Sequence, residues 1–187
     1  MKHPIPHANA FASHPVPPRR ALLSAAVCGA FLASGLLGAS APAAAAAVGA
    51  LAPDVALAGD AAVSQLSAHR GKFVYLDFWA SWCVPCKQSF PWMNEMQSRY
   101  GAQGLKVVAV NLDTKPDEAK RFLAENPAQF DVAFDKAGDS AKAFAIKGMP
   151  SSVLIGPDGK VVLVHAGFRD GDKAALEQEI RKALGVK

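Results

Sequence analysis

The apolar run Phe73–Trp79, "FVYLDFW", ends just before a cysteine pair, Cys83-Val84-Pro85-Cys86. That junction constrains the fold more than any other stretch. The run is β-branched and aromatic and too short for a lone helix, so it reads as a buried strand. Beyond Cys83, the spacing of Phe90, Met93 and Met96/Gln97/Tyr100 predicts a helix over 84–100. Pro85 is tolerated in its first turn, whereas Pro91 lies inside it and predicts a kink. Cys83 then sits where unpaired N–H groups and the helix dipole favour negative charge. A thiolate there is stabilised, and its pKa falls below the free value of about 8.5. Cys86 follows one turn later, deeper, able to attack the sulfur of Cys83. The pair reads as a thiol–disulfide exchange site. As a staple it would do little, because it closes almost no chain.

Zinc is the rival for any such pair, but a structural zinc site needs four protein ligands. Outside the N-terminal leader the histidines are His69 and His165, far apart in sequence. No metal site and no cofactor is expected.

Further on, Leu105–Leu112 predicts a second strand, parallel to the first because a helix lies between them. Thr114 is the expected cap of a helix with Pro116 and Asp117 in its first turn. Phe130–Phe134 reads as a short extended piece and Asp139–Ile146 as a short helix. Ser152–Ile155 and Lys160–His165 read as strands of a hairpin turning at Pro157-Asp158-Gly159. Asp172–Leu184 predicts a last helix, with Leu176, Ile180 and Leu184 on one face and Gly185 as its stop. The expected class is α/β, one mixed sheet with helices on its faces.

The first 47 residues read differently. A polar start with Arg19-Arg20 precedes an apolar stretch, Ala21–Leu37, and a small-residue tract with cut points at Ala45, Ala46 and Ala47. This is the pattern of an export leader, of Sec or twin-arginine type. Left uncleaved, the stretch is a short membrane anchor, below the roughly 20 residues of a full span. Cys28 is a passive residue of that stretch. Residues 48–187 form the expected domain. The leader also explains the charge: the chain carries +4, but from Val48 onward 17 basic residues face 16 acidic ones. The basic balance therefore gives no reason to expect a nucleic-acid partner.

"DFWASWCVPCK" resembles the active-site signature of the thioredoxin superfamily. With the leader and the opening "APDVAL…LSAHRGKFVYLDFWASWCVPC", the chain is similar to its exported TlpA/ResA-type branch. The resemblance runs from about Ala52 to Leu184. It rests on the strand, W-C-x-x-C-K, Pro91, and Gly148-Met149-Pro150-Ser151. It implies a thioredoxin-like fold in which Cys83 attacks and Cys86 resolves. Pro150 is then a cis proline, and the backbone of Met149 pairs with an extended substrate. From the residues alone Pro150 reads as an ordinary proline at a strand's start. Trp82 is expected on an exposed docking surface.

Asp77 has two readings. A carboxylate inside a buried strand is costly unless paired or neutral. The resemblance implies a proton relay to Cys86; the alternative is a side chain bonded locally or reaching the sheet's edge. The position where thioredoxin proper carries a lysine partner is Ala109 here. Phe78 and Trp79 are expected in the packing, with Trp79 a candidate shield for the site. Lys87 is a modest influence on the thiolate or a solvated residue. His165 is expected to be structural. Ser81 has no task and stands too near Cys83 for a triad.

The resemblance implies a periplasmic or otherwise extracytoplasmic monomer, soluble or N-terminally anchored. It would reduce disulfides of client proteins, as in cytochrome c or oxidase-copper assembly. A membrane thiol-transfer protein would be its electron donor. The alternatives are a dithiol oxidant of the same fold and a Cu(I)-binding assembly factor, since soft thiolates select Cu(I).

Overall fold

The computed structural model describes residues 46–59 and 63–187. The leader, with Arg19-Arg20, Ala21–Leu37 and Cys28, lies outside them. Among the described residues no helix is long and apolar enough to cross a membrane.

A short antiparallel pair, β1 (Ala56–Ala58) and β2 (Val63–Gln65), precedes the central strand β3 (Phe73–Trp79). Helix α1 (Val84–Tyr100) leads to β4 (Leu105–Asn111) and α2 (Pro116–Glu125) to β5 (Asp131–Phe134). Then come α3 (Asp139–Ala143), the hairpin β6 (Ser151–Ile155) and β7 (Val161–Ala166), and α4 (Lys173–Leu184). The five-stranded sheet runs β5-β4-β3-β6-β7. β3, β4 and β5 are parallel, and β6 and β7 pair antiparallel.

β3 is the middle strand and is covered on both faces, which is why its sequence is almost continuously apolar. Val74, Leu76 and Phe78 enter one core cluster with Leu57, Leu66 and Phe144. Tyr75 and Trp79 enter the other, with Phe90, Met93 and Met96 of α1, Phe122 of α2, and Leu176 and Ile180 of α4. α1 runs unbroken through Pro91, whose side is exposed.

The free edge of β7 is partly capped. Gly49 N–H donates to Val161 O at 2.8 Å, and Val161 N–H donates to Ala50 O at 2.9 Å. The β6–β7 turn needs glycine at Gly159, where φ is 81° and a β-carbon would overlap the Arg70 guanidinium.

The helix cap expected at Thr114 falls instead on Lys115 (φ −112°, ψ 109°). Pro116 occupies the first helical position, and a proline forces its predecessor into extended backbone. The expected short helix ends at Ala143, not Ile146. The extended piece near Phe130 is a true sheet edge, paired with β4.

Candidate active site

The chain leaves β3 and makes one turn, Ala80–Cys83, closed by Cys83 N–H donating to Ala80 O at 3.1 Å. Cys83 is the N-cap of α1, and Pro85 lies in the helix's first turn. The sulfur of Cys83 accepts the N–H of Cys86 at 3.3 Å. The two cysteines are joined as a disulfide, with Cα atoms 5.3 Å apart. Cys86 is fully buried, and Cys83 is 4% exposed, less open than its position suggested. What stands out around it is Trp82, 69% exposed, and Val84, 72% exposed.

Ser151 pairs with Phe78, so Pro150 lies level with Trp79, at the sheet end where the chain departs for Cys83. The Met149–Pro150 peptide bond is cis. Met149 is half-buried and Pro150 buried. The surface beside them is a groove of about 340 Å³ that Ile146, Lys147, Met149 and Val164 help to line.

Asp77 lies between Tyr75 and Trp79 on β3, and the pleat turns all three to the face that carries Cys86. It is 2% exposed, and its Oδ2 has no hydrogen-bond partner among the described residues. Its neighbours across the sheet are Ala109 on β4 and Ser152 on β6. No cation stands at the Ala109 position, so burial alone drives the carboxyl pKa well above the ordinary range. The Ser152 hydroxyl instead accepts the Tyr75 O–H at 2.8 Å. Burial, and then the Asp77 charge, raise the Tyr75 pKa.

Trp79 is fully buried and packs against Phe90 and Phe122, with ring centroids 4.9 and 4.7 Å apart. Its place is in the core beneath the pair, and Phe78 packs on the opposite face. Lys87 is exposed. His165, on β7, pairs with Ser152 of β6, and its Nε2 is 3.6 Å from Asp172 Oδ2.

Sequence reasoning missed Asp113. It is 4% exposed, just past β4, and it accepts the backbone N–H and the hydroxyl of Ser81 at 2.9 and 3.1 Å. An acid directly after a predicted buried strand was the only signal available for it.

The sequence pattern of the Redoxin family matches residues 47–180. The thiol–disulfide oxidoreductase ResA of Bacillus thuringiensis subsp. konkukian is 35% identical over 118 residues, 63% of this chain and 67% of that one. A solved Chlorobium tepidum structure, assigned as the thiol:disulfide interchange protein DsbE, is 57% identical. It has a TM-score of 0.73 and covers 74% of this chain and 99% of its own. The exposed lipoprotein thioredoxin of Streptococcus pneumoniae is 28% identical with a TM-score of 0.61, covering 70% of this chain and 99% of its own.

Proposed function

Since the chain belongs to the Redoxin family and is a thiol–disulfide oxidoreductase, we propose that it works outside the cytoplasm and reduces disulfides of client proteins. The observation that carries the reading is the pair itself. Cys83 caps α1 between two exposed apolar residues, and Cys86 lies fully buried within bonding distance behind it.

The Cys83 thiolate attacks one sulfur of the client disulfide, and the other client sulfur leaves as a thiolate. Cys86 then gives up its proton and attacks the Cys83 sulfur. The Cys83–Cys86 disulfide forms and the second client thiol is released. Two electrons have passed to the client. Asp77, raised in pKa and on the face of Cys86, takes the Cys86 proton. Trp82 and the Met149–Pro150 backbone seat the client chain. A membrane thiol-transfer protein returns the electrons, and the clients belong to cytochrome c or oxidase-copper assembly. The family match begins at residue 47, where the export leader is expected to end. The similar pneumococcal protein is an exposed lipoprotein. Both support the location.

The purified domain, supplied with a dithiol, should reduce insulin disulfides. Cys86→Ala should trap a Cys83-linked mixed disulfide, because no resolving thiol remains. No reduction by the intact dithiol protein would end the reading. So would an equilibrium potential against glutathione near that of strong oxidants, about −120 mV, for the direction of transfer.

A further inference from the structure

The nucleophile's turn is held from outside its own segment. Ser81 is the second residue of the Ala80–Cys83 turn, and it binds Asp113 twice. Its N–H donates to Oδ2 at 2.9 Å and its hydroxyl to Oδ1 at 3.1 Å. Asp113 is itself fixed. Asn111 Nδ2 donates to Oδ2 at 2.8 Å, and the Asp113 N–H donates back to Asn111 Oδ1 at 3.0 Å. Leu112 N–H, between them, donates to Trp79 O at 2.9 Å. Asn111 and Asp113 are 1% and 4% exposed, so the carboxylate end of this network is shielded from water, while Ser81 is half-buried. Trp82, the next residue of the turn, is 69% exposed. Its direction is therefore set by the turn's backbone and not by packing.

We propose that Asp113 is a positioning residue that acts through Ser81, fixing the turn that aims Trp82 at the client and sets Cys83 at the start of α1. This rests on the exchange function proposed above. A buried carboxylate with three donors is hard to replace: without it, the Ser81 and Asn111 N–H groups lose their acceptor inside the protein. Within the turn the Cys83–Ala80 bond then remains, and Cys83 keeps its ties to α1, but Ser81 is no longer held from β4's end.

The test uses Ser81→Ala, Asp113→Ala, the double variant and Asp113→Asn, which keeps one acceptor oxygen if the alanine variant fails to fold. Iodide-quenchable fluorescence reports on Trp82, because Trp79 and Trp92 are 0% and 4% exposed. At a temperature where near-UV circular dichroism shows every variant folded, the anisotropy of that component should fall in Asp113→Ala and, less, in Asp113→Asn. kcat/KM for insulin reduction should fall about tenfold in Asp113→Ala and about twofold in Ser81→Ala, which keeps the amide bond. The double variant should be no worse than Asp113→Ala alone, since both changes break one link. Unchanged anisotropy and kcat/KM, with only a lower melting temperature, would make Asp113 merely structural and overturn the proposal. Independent, multiplying losses in the double variant would overturn it too. If the parent protein reduces no disulfide, the function reading fails by itself and the Trp82 anisotropy still decides the positioning role.

Discussion

Asp77 concentrates the cost of this site in one side chain. It is buried between two strands that offer it no partner for Oδ2, and burial raises its pKa well above the ordinary 3.8. A carboxyl with a raised folded pKa holds its proton longer in the folded protein than in the unfolded chain. Its contribution to stability is whole below the unfolded value and is lost as pH climbs from there to the folded value. Asp77→Asn has no such loss. Its advantage over the parent protein should grow from pH 4 upward, reaching about 1–3 kcal/mol at pH 7, the usual cost of a poorly satisfied buried polar group. Urea unfolding at pH 4 and pH 7 measures this; a difference independent of pH would show that the charge is compensated. The same variant should slow the Cys86 step by about a hundredfold, the low end for a lost proton acceptor. The mixed disulfide would then accumulate in rapid-quench experiments. The sequence made Asp77 conspicuous because a charge breaks an apolar run. It also located the missing partner, for Asp77 does pair with Ala109. Asp113 stayed hidden because its role depends on a turn from another segment, and nothing in its own neighbourhood marks that contact.

Among the elements, those with strong periodicity were legible and those closed by unusual caps were not. β3, α1, β4 and the β6–β7 hairpin carry their patterns in runs of buried residues. β1 and β2 are three residues each, too short for any alternation to register. α3 shows why an end was misplaced. The helical pattern of Asp139–Ile146 continues in sequence, yet the chain stops at Ala143 and turns through Ala145 at φ 53°. The N–H of Ile146 returns to Ala141 O at 2.9 Å and that of Ala145 to Lys142 O at 2.9 Å. This is the left-handed helix ending that glycine usually supplies, built here on alanine. An L-residue in that conformation costs roughly 1–2 kcal/mol, partly offset by glycine's greater freedom in the unfolded chain. Ala145→Gly should therefore stabilise the protein by about 0.5–1 kcal/mol, or about 1–4 °C in Tm. Calorimetry checks it, and a lower Tm would mean that the Ala145 methyl makes packing contacts worth more than its strain.

For the whole molecule, the direction of electron flow is a difference between two folded states, and no motif spells out a difference. In the oxidised state the sulfurs are neutral and lie in an apolar cluster with Trp79, Phe90, Trp92 and Met93. Reduction places a thiolate at Cys83 and a thiol at Cys86 in that same setting. The start of α1 stabilises the thiolate, and the helix has no acid in its first turn. Against this stand the burial of both cysteines and the carboxyl of Asp77 on their face of the sheet. Burial in apolar surroundings raises a thiol's pKa. Lys87, the nearest cation in sequence, is exposed and screened. The reducing role proposed above requires burial to outweigh the helix start, so that the fold favours the disulfide; a strong oxidant is the opposite case, whose reduced form is the stabilised one. Linkage turns this into an equilibrium measurement: whatever stability the fold adds to the oxidised form over the reduced form lowers the potential below that of the unfolded pair, about 30 mV for each 1.4 kcal/mol. The oxidised protein should unfold at higher urea concentration than the reduced protein, by about 1–4 kcal/mol in unfolding free energy. Paired urea titrations, one with excess dithiol and one without, decide it. A reduced form that outlasts the oxidised one would reverse the flow and make the protein a donor of disulfides to its clients.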